Sequence, residues 1–420
     1  MINEIEIRIW DQVLGYAAYK EGRLVYFEYS KKLPLNYEPS PLMMPRVPER
    51  VWSFDLNEAT YHGLPGLLAD SLPDKYGQPM INSWFTKQGI SLDNINSLDK
   101  LAYLGTRAMG ALEFFPNHES TLQNAEIELE KLMDLSSKIL QERMEFEIDE
   151  DDVNRIIQMS SSAGGARAKA VIAYDPEKGL IRSGQVDNPV GFENYIIKLD
   201  GLTNESLSDP QGYTNIEYAY YLMAKDSGIE MSESSLLEQS GRSHFLTKRF
   251  DRDEDGKKLH MQTLCGLAHL DYNSPRVYSY EFLFRLAQRL GLKMKDKEQI
   301  FKVMAFNVIG RNHDDHTKNF SFLMDQAGVW RIAPAYDLTY AFNPNHHWLK
   351  EHNLLVNGKS TEINKEDLLV YAKMFQIKDA ELFIDQIIEV FRSWSNYATR
   401  ANVCREKTKE IKENLNFLRK

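Results

Sequence analysis

The chain is poor in cysteine and in long apolar runs. Two cysteines, Cys265 and Cys404, occur in 420 residues, and neither belongs to a CxxC pair. This argues against a disulfide framework or a cysteine-based zinc site, and it favours a reducing cytoplasm. No apolar run approaches the length of a membrane span, and the charge alternation around Ile5, Ile7 and Ile9 predicts a strand rather than a signal peptide. We therefore expect a cytoplasmic protein without membrane contact.

The chain also has a deficit of positive charge. Its net charge is −11, which argues against binding nucleic acid through a broad basic face. Much of this charge is local, because residues 121–152 contain eleven Asp or Glu and three Lys or Arg. A small basic patch elsewhere is compatible with this composition.

The length and the patterning predict several domains in an α+β protein. Residues 1–116 alternate short strands with turns and form a small N-terminal α+β domain. Residues 117–155 form an acidic linker and helix, residues 156–250 are rich in strands, and residues 251–420 are mostly helical. Among the predicted helices, Glu281–Leu290 carries Phe282, Leu286 and Leu290 on its apolar face.

The densest cluster of polar side chains is Asn312-His313-Asp314-Asp315-His316-Thr317-Lys318-Asn319. We predict a loop here, between the helix Gln299–Ile309 and a strand that contains Phe320 and Phe322. Two carboxylates, two imidazoles, an ammonium and two amides next to apolar segments indicate a functional site.

A β-hairpin is predicted directly after this loop. Residues 325–328 form its turn and Val329–Ile332 its return strand, so its outer ends, Asn319 and Asp337, should lie close together. An amide oxygen and a carboxylate suit Mg²⁺, and Asp314 is then placed to accept a proton from an attacking hydroxyl. Lys318 could offset charge on a phosphoryl group.

Upstream, the strand Glu193–Asp200 carries Lys198 among apolar neighbours. It is either an edge lysine with its ammonium in solvent or a phosphate ligand braced by Glu217, which opens a helical stretch. The small, Gly-containing stretch 160–169 suits either a tight turn or a phosphate-contacting loop. Strand lysine, helix glutamate, loop aspartate, loop asparagine and post-hairpin aspartate follow the order found in protein kinases.

These motifs resemble the HipA family of bacterial serine/threonine kinases, the toxin halves of type II toxin–antitoxin systems. The resemblance rests on six segments: Gly63–Asp74, Met109–Pro116, Ser162–Lys169, Tyr195–Leu199, Asn312–Asn319 and Ala333–Leu338. It implies a protein-kinase-like two-lobed core, preceded by the small N-terminal domain and ending in the helical lobe.

The resemblance also implies roles for individual residues. Asp314 is the catalytic base, Asn319 and Asp337 are the Mg²⁺ ligands, and Glu217 braces Lys198. Contacts to ATP are implied for Gly164, Gly165, Ala166, Arg167, Ala168, Lys169, Lys198, Lys248, Arg249, Phe250, His316, Thr317, Lys318, Asn319, Tyr336 and Asp337. Autophosphorylation is expected at Ser162, with the adjacent Ser161 as the alternative. Lys248 departs from the family pattern, in which an acidic residue is expected.

The resemblance further implies partners. HipA kinases phosphorylate a translation component, notably an aminoacyl-tRNA synthetase, and so arrest growth and promote persistence. They bind a small helix-turn-helix antitoxin, HipB or its equivalent, which carries the complex to operator DNA.

Two other functions are compatible with the residues. A metal-dependent phosphohydrolase could use His313, Asp314, Asp315 and His316, although adjacent side chains usually point in different directions. A non-catalytic protein could instead cap a DNA-bound antitoxin. In the kinase interpretation, His313 and Asp315 orient the loop or face solvent, and their substitution should cost less activity than that of Asp314.

Overall fold

The structure is a computed structural model that describes residues 2–19, 24–34, 37–117, 128–140, 157, 159–160, 165, 167–185, 189–202, 211–239 and 241–418. The chain divides into two units. The first comprises Met1–Ser40, Met44–Thr214 and Glu233–Met261, and the second Pro41–Met43, Asn215–Ser232 and Gln262–Lys420. Within the described residues, every helix is too short or too polar to span a bilayer.

The first unit contains an N-terminal antiparallel sheet with the strand order β4-β3-β2-β1-β5. Its strands are β1 (Glu4–Ile9), β2 (Gln12–Tyr19), β3 (Val25–Tyr29), β4 (Val51–Trp52) and β5 (Leu112–Phe115). Four helices follow β4: α1 (Glu58–Tyr61), α2 (Gly66–Ala69), α3 (Gly77–Lys87) and α4 (Ser97–Leu104). The predicted alternation of β1 is confirmed, because Ile5, Ile7 and Ile9 are buried.

A second antiparallel sheet in the same unit has the order β7-β6-β8-β10-β9. It consists of β6 (Lys169–Asp175), β7 (Leu180–Ser183), β8 (Glu193–Lys198), β9 (Ser234–Gln239) and β10 (Arg242–Lys248). The acidic segment contributes helix α5 (Leu129–Leu140), while residues 118–127 and 141–156 lie outside the described residues. Strands predicted at Val171–Tyr174 and Glu193–Asp200 are therefore present.

The second unit is mostly helical. It contains α6 (Tyr213–Asp226, which begins in the first unit), α7 (Leu264–Ala268), α8 (Tyr280–Arg289), α9 (Met294–Ile309), α10 (Lys365–Phe375), α11 (Ala380–Arg392), α12 (Trp394–Arg400) and α13 (Arg405–Asn414). A three-stranded sheet joins β11 (His260–Thr263, at which the chain enters this unit), β12 (Ser321–Met324) and β13 (Trp330–Ile332), in the order β11-β12-β13.

Helix α9 forms the centre of this unit. Its apolar stripe, Ile300, Phe301, Met304 and Val308, is buried as predicted. Aromatic rings pack around its C-terminal half, with the centroids of Phe306 and Phe391 4.8 Å apart. A rigid helix therefore leads directly into the polar loop.

The predicted apolar face of α8 is partly wrong. Phe282 is 49% exposed, and the buried face is instead formed by Tyr280, Leu283, Phe284, Leu286 and Ala287. The apolar residues of this helix span a broad arc of about 200°, and Phe282 lies at the edge of that arc beside the polar face, so periodicity alone does not decide whether it is buried. The packing of Phe284 on Phe375, with ring centroids 4.6 Å apart, selects the observed face.

A buried ionic network joins the N-terminal sheet region to the segment after β10. The Asp251 carboxylate accepts hydrogen bonds from the Arg249 guanidinium, at 2.7 and 2.9 Å, from Arg252 at 2.9 Å, and from the backbone N–H of Gly110 at 2.8 Å. Burial alone would raise the pKa of Asp251, but the charges of Arg249 and Arg252 outweigh it and hold this pKa well below its usual value.

Replacing Asp251 by Asn should strongly destabilise the protein. The change leaves the buried Arg249 charge without its counter-ion, which costs about 3–5 kcal/mol of unfolding free energy. Because the folded pKa of Asp251 is depressed, its stabilising effect is complete above about pH 4, the unfolded value, and is lost as pH falls below it. Urea denaturation at pH 7 and pH 3 measures both effects.

The matched control is Asp255→Asn, on the exposed turn of the same segment. It should shift the denaturation midpoint little. An equal midpoint for Asp251→Asn and Asp255→Asn at pH 7 would contradict the proposed contribution of the network.

Candidate active site

The loop 312–319 begins and ends at fixed points of the second unit. At its start, Asn312 forms a parallel bridge with Ala341, and the His313 N–H donates to the Ala341 carbonyl over 3.1 Å. At its end, Thr317–Asn319 forms a 3-10 turn, and the Thr317 hydroxyl donates to the Leu270 carbonyl over 2.7 Å. The predicted loop between a helix and a strand is thus present.

Asp314 and Asn319 are connected through the backbone. The Asn319 side-chain N–H donates to the carbonyl of Asp314 over 2.7 Å. This bond identifies the nitrogen of the Asn319 amide and leaves the amide oxygen pointing away from the Asp314 carbonyl. The Asp314 side chain is 47% exposed, and one of its oxygens lies 3.8 Å from His316 Nε2. Asp314 is therefore accessible, although its main chain is fixed.

The predicted β-hairpin is present and connects the loop to Asp337. Strands β12 and β13 pair with Phe322 opposite Ile332 and Met324 opposite Trp330. At the outer end, the Tyr336 hydroxyl donates to the Lys318 carbonyl over 2.6 Å and lies 2.6 Å from the Ser321 hydroxyl. The hairpin thus links the end of the loop to the turn that precedes Asp337.

Asp337 itself has an unusual backbone. Its φ is +52°, in the left-handed region that L-residues rarely adopt. The Asn312 amide donates to the Asp337 carbonyl over 3.3 Å. Strained residues of this kind concentrate at functional sites, where the surrounding structure holds them.

His313 and Asp315 are buried. The Asp315 carboxylate accepts from the Tyr280 hydroxyl and from His352 Nδ1, both at 2.9 Å. His313 Nδ1 lies 3.0 Å from the Leu349 carbonyl, and burial, with the neighbouring His352 and Arg311, lowers the pKa of His313 to about 2. Of the two predicted roles for this pair, orienting the loop and facing solvent, the second is wrong.

In the first unit, two lysines share one position of the second sheet. Lys169 on β6 is the register partner of Lys198 on β8, so both side chains leave the same face with their Cβ atoms about 5 Å apart. Both residues are buried, at 5% and 9% exposure. The Lys198 ammonium also lies 5.9 Å from the centre of the Phe245 ring. An edge lysine extended into solvent does not fit this burial.

The Gly-rich stretch is partly described. Ser161, Ser162, Gly164 and Ala166 lie outside the described residues. Gly165 has a φ of +100°, and a Cβ there would collide with the Lys169 ammonium. The Gly165 N–H donates to the Asp74 carboxylate over 2.8 Å, and the Tyr76 N–H donates to the Gly165 carbonyl over 3.3 Å.

Other predicted nucleotide contacts occupy varied surroundings in the first unit. The Arg167 guanidinium lies over the Tyr213 ring at 4.3 Å, and the Ala168 carbonyl accepts from the Leu199 N–H. Lys248 donates to Glu193 over 2.6 Å, and this bond is the main cause of a lowered Glu193 pKa.

The segment Lys248, Arg249 and Phe250, predicted to contact adenine, is closely tied to the first unit. The N–H groups of Lys248 and Arg249 donate to the Glu233 and Asn194 carbonyls, the Arg249 side chain pairs with Asp251, and Phe250 is half-buried. Glu217 is 3% exposed on α6, in the second unit, whereas Lys198 belongs to the first. The Glu217–Lys198 brace stays a prediction.

Two residues of interest escaped the sequence patterns. Asp74 enters the sequence analysis only as the last residue of the segment Gly63–Asp74, yet its carboxylate accepts the N–H of Gly165. Gln262 on β11 is 1% exposed, and neither atom of its side-chain amide has a hydrogen-bond partner among the residues that the structure describes. For Gln262, the only hint in the sequence is a polar amide side chain within a strand.

The geometry does not favour the phosphohydrolase alternative. The side chains of His313 and Asp315 are directed at partners inside the protein, whereas Asp314 faces outward. Across the described ranges, no group of three or more His, Cys, Asp or Glu side chains is arranged to hold a metal ion.

Comparison with protein families identifies two matching domains. The HipA N-terminal domain matches residues 5–115, and the HipA-like C-terminal domain matches residues 161–411, which is more than half of the chain. The chain belongs to the HipA family. The second match includes the entire loop 312–319 and the hairpin after it.

Curated relatives are similar over part of their length. Two of them carry the name "Putative kinase": a Haemophilus influenzae protein is 25% identical over 185 residues, and Y4mE of Sinorhizobium fredii is 24% identical over 276 residues. These matches cover 40% and 60% of this chain. The chain spans 51% and 60% of the lengths of these two curated relatives.

Among solved structures, HipA of the Shewanella oneidensis MR-1 toxin–antitoxin system, in a complex with HipB and operator DNA, has a similar fold. The TM-score is 0.67 at 16% sequence identity, and the match covers 97% of this chain and 94% of that one. The predicted α+β fold of HipA type is confirmed.

Removing the hydroxyl of Tyr336 should loosen the end of the loop. Tyr336→Phe deletes the bonds to Lys318 and Ser321, each contributing about 1 kcal/mol. Hydrogen–deuterium exchange should therefore become faster in residues 317–321. The control Tyr16→Phe alters an exposed hydroxyl on β2 and should leave this exchange unchanged. Unaltered exchange in Tyr336→Phe would refute the role of the hydroxyl.

Proposed function

We propose that the protein is an ATP-dependent serine/threonine-protein kinase and the toxin of a HipA–HipB type toxin–antitoxin pair. The observation that carries this proposal is the geometry of the loop 312–319. The Asp314 carboxylate is accessible, while the Asp314 carbonyl is held by a hydrogen bond from the Asn319 side chain. A general base has to be accessible to its substrate and yet held in position.

In the proposed reaction, a serine or threonine hydroxyl attacks the γ-phosphorus of ATP. Its oxygen forms the new P–O bond while the bond to the β–γ bridging oxygen breaks, and ADP leaves. Asp314 accepts the hydroxyl proton. Lys318, whose ammonium lies 4.7 Å from the centre of the Tyr272 ring, and His316 contact the nucleotide from the same loop.

Asn319 and Asp337 fit the expected Mg²⁺. The Asn319 amide nitrogen is engaged by the Asp314 carbonyl, which leaves the amide oxygen as the ligand atom, and Asp337 adds a carboxylate. Two protein oxygens suit an ion that keeps phosphate and water oxygens as its other ligands. When bound, Mg²⁺ would neutralise charge on the β- and γ-phosphates.

The phosphates of ATP would bind at the lysine pair of the second sheet. Placing Lys169 and Lys198 at one register position concentrates positive charge, which an anionic ligand offsets. Gly165 lies beside Lys169, so the Gly-rich stretch is suited to cover these phosphates.

The finer parts of the proposal rest on family resemblance. Autophosphorylation at Ser162, or at Ser161, would add negative charge close in sequence to Lys169, the proposed phosphate ligand, and would so repel ATP. A HipB-like helix-turn-helix antitoxin would carry the protein to operator DNA, as in the Shewanella complex with HipB. The external substrate would be a translation component such as an aminoacyl-tRNA synthetase, and its phosphorylation would arrest growth.

Asp314→Asn should abolish phosphotransfer while ATP binding persists. Removing a general base lowers the rate by about 10²–10⁴-fold, and the residue is too exposed for the change to disturb the fold. Transfer of labelled γ-phosphate to the protein itself and to a cell extract measures this loss. The control Asp379→Asn changes an exposed carboxylate at the start of α11 that caps no helix N–H.

Equal transfer by wild type and Asp314→Asn would remove Asp314 as the base. No transfer by the wild type, with full growth arrest on expression of both proteins, would instead support the non-catalytic alternative.

Gly165→Ala should weaken ATP binding specifically. The new Cβ has to displace the Lys169 ammonium, and the backbone has a positive φ. Gly179→Ala is the matched control, because Gly179 also has a positive φ, +67°, but its Cβ would meet open space. Both variants should lose about 1 kcal/mol of stability, but only Gly165→Ala should raise the ATP dissociation constant, measured by calorimetry. Equal ATP affinities would refute the proximity of Lys169 to the phosphates.

A further inference from the structure

The loop 312–319 is held from behind by residues 349–354, which follow Asp337 in the chain. The Asp315 carboxylate accepts the N–H of Asn353 over 2.7 Å and that of Leu354 over 3.4 Å on one oxygen. Its other oxygen accepts from the Tyr280 hydroxyl and His352 Nδ1. The side chains of Asp315 and His352 are 0% and 2% exposed.

A second set of bonds joins the same two segments. The Asn353 amide donates to the His313 carbonyl over 2.6 Å, and His313 Nδ1 lies 3.0 Å from the Leu349 carbonyl. The rings of His313 and His352 are in contact, with centroids 4.2 Å apart. The residues on both sides of Asp314 in the sequence are therefore bound to the same short segment.

The network continues from Asp315 to Asp337. Burial, reinforced by Asp315, raises the pKa of Tyr280 well above its usual value, so its hydroxyl stays a donor. The same hydroxyl accepts from the Asn307 amide over 3.0 Å, and the Asn307 oxygen accepts from Asn312 over 2.9 Å. Asn312 in turn donates to the Asp337 carbonyl. One continuous chain of hydrogen bonds thus links the carboxylate of Asp315, the sequence neighbour of Asp314, to the backbone carbonyl of Asp337.

We propose that Asp315 is a positioning residue that, with His352, fixes the catalytic loop against residues 349–354 and so sets Asp314 and Asp337 in their working positions. This inference rests on the proposed kinase function. Asp315 touches no reactant, and a buried carboxylate with four donors around it holds its surroundings more rigidly than neutral pairs do. A misplacement of about 1 Å at a reacting group costs on the order of 10²-fold in rate.

The main test compares steady-state kinetics of Asp315→Asn and wild type. In this variant, an amide N–H replaces one oxygen and faces the hydroxyl of Tyr280 or the ring N–H of His352, which are also donors. The volume of the side chain is unchanged. We expect kcat for phosphotransfer to fall at least tenfold and the KM for ATP to stay within twofold. Asp379→Asn, with its exposed carboxylate, is the control that should leave both values unchanged.

A double-variant cycle tests the coupling with His352. His352→Gln should also lower kcat, and Asp315→Asn combined with His352→Gln should be little worse than the more damaging single variant, because both remove the same bond. If the fold-losses of kcat in the two single variants multiply in the double variant, Asp315 and His352 act independently, and the proposed pairing of these two residues is overturned. Should Asp315→Asn fail to fold, Tyr280→Phe removes one donor with the ring retained and should lower kcat by a smaller factor.

Hydrogen–deuterium exchange supplies a readout that does not depend on catalysis. The amides of Asn353 and Leu354 should exchange faster in Asp315→Asn than in wild type. Wild-type kcat together with unchanged exchange would overturn the positioning role. A wild-type protein without phosphotransfer but with faster exchange in Asp315→Asn would refute the kinase function and leave the attachment of the loop standing.

Discussion

The arrangement of the candidate site depends on a carboxylate placed out of contact with water. Burying Asp315 is costly unless its oxygens are hydrogen-bonded, and four donors from two elements satisfy this need. Those donors come from α8 and residues 352–354, so the native form of the loop depends on both of these segments being in place. Asp314 and Asp315 are neighbours in sequence, but the proposed base has to be accessible whereas Asp315 has to be buried. Both conditions are met, because the side chain of Asp314 is exposed and that of Asp315 is buried.

Local patterns predicted the parts of this site that depend on short separations. The hairpin β12–β13 follows from a turn signal between alternating residues, and the stripe of α9 from its period. Phe282 on α8 shows the limit of that reasoning, because it lies at the edge of a broad apolar arc, where tertiary contacts decide which side chains are buried. The high density of polar side chains identified the loop 312–319 from the sequence. The residues that form hydrogen bonds to the loop could not be identified in this way.

Those partners are distant in sequence. His352 lies 37 residues after Asp315, and the Asp251 carboxylate meets a backbone N–H 141 residues before it. No periodicity within a segment encodes such pairings. The alignment of Lys169 with Lys198 likewise follows from the pairing register of β6 and β8, which the sequence of either strand leaves undetermined. The family resemblance implied that both lysines contact ATP. Only the register of the sheet shows that their side chains leave the same face.

The shared face of Lys169 and Lys198 bears on how this protein behaves in ordinary buffers. Two ammonium groups on the same face of a sheet repel one another, and a small polyvalent anion bound beside them reduces that repulsion. If this lysine pair binds the phosphates of ATP, as proposed above, sulfate or inorganic phosphate would compete with the nucleotide for it. Under that proposal, the apparent affinity for ATP would depend on the buffer and would be weaker in phosphate than in chloride at the same ionic strength.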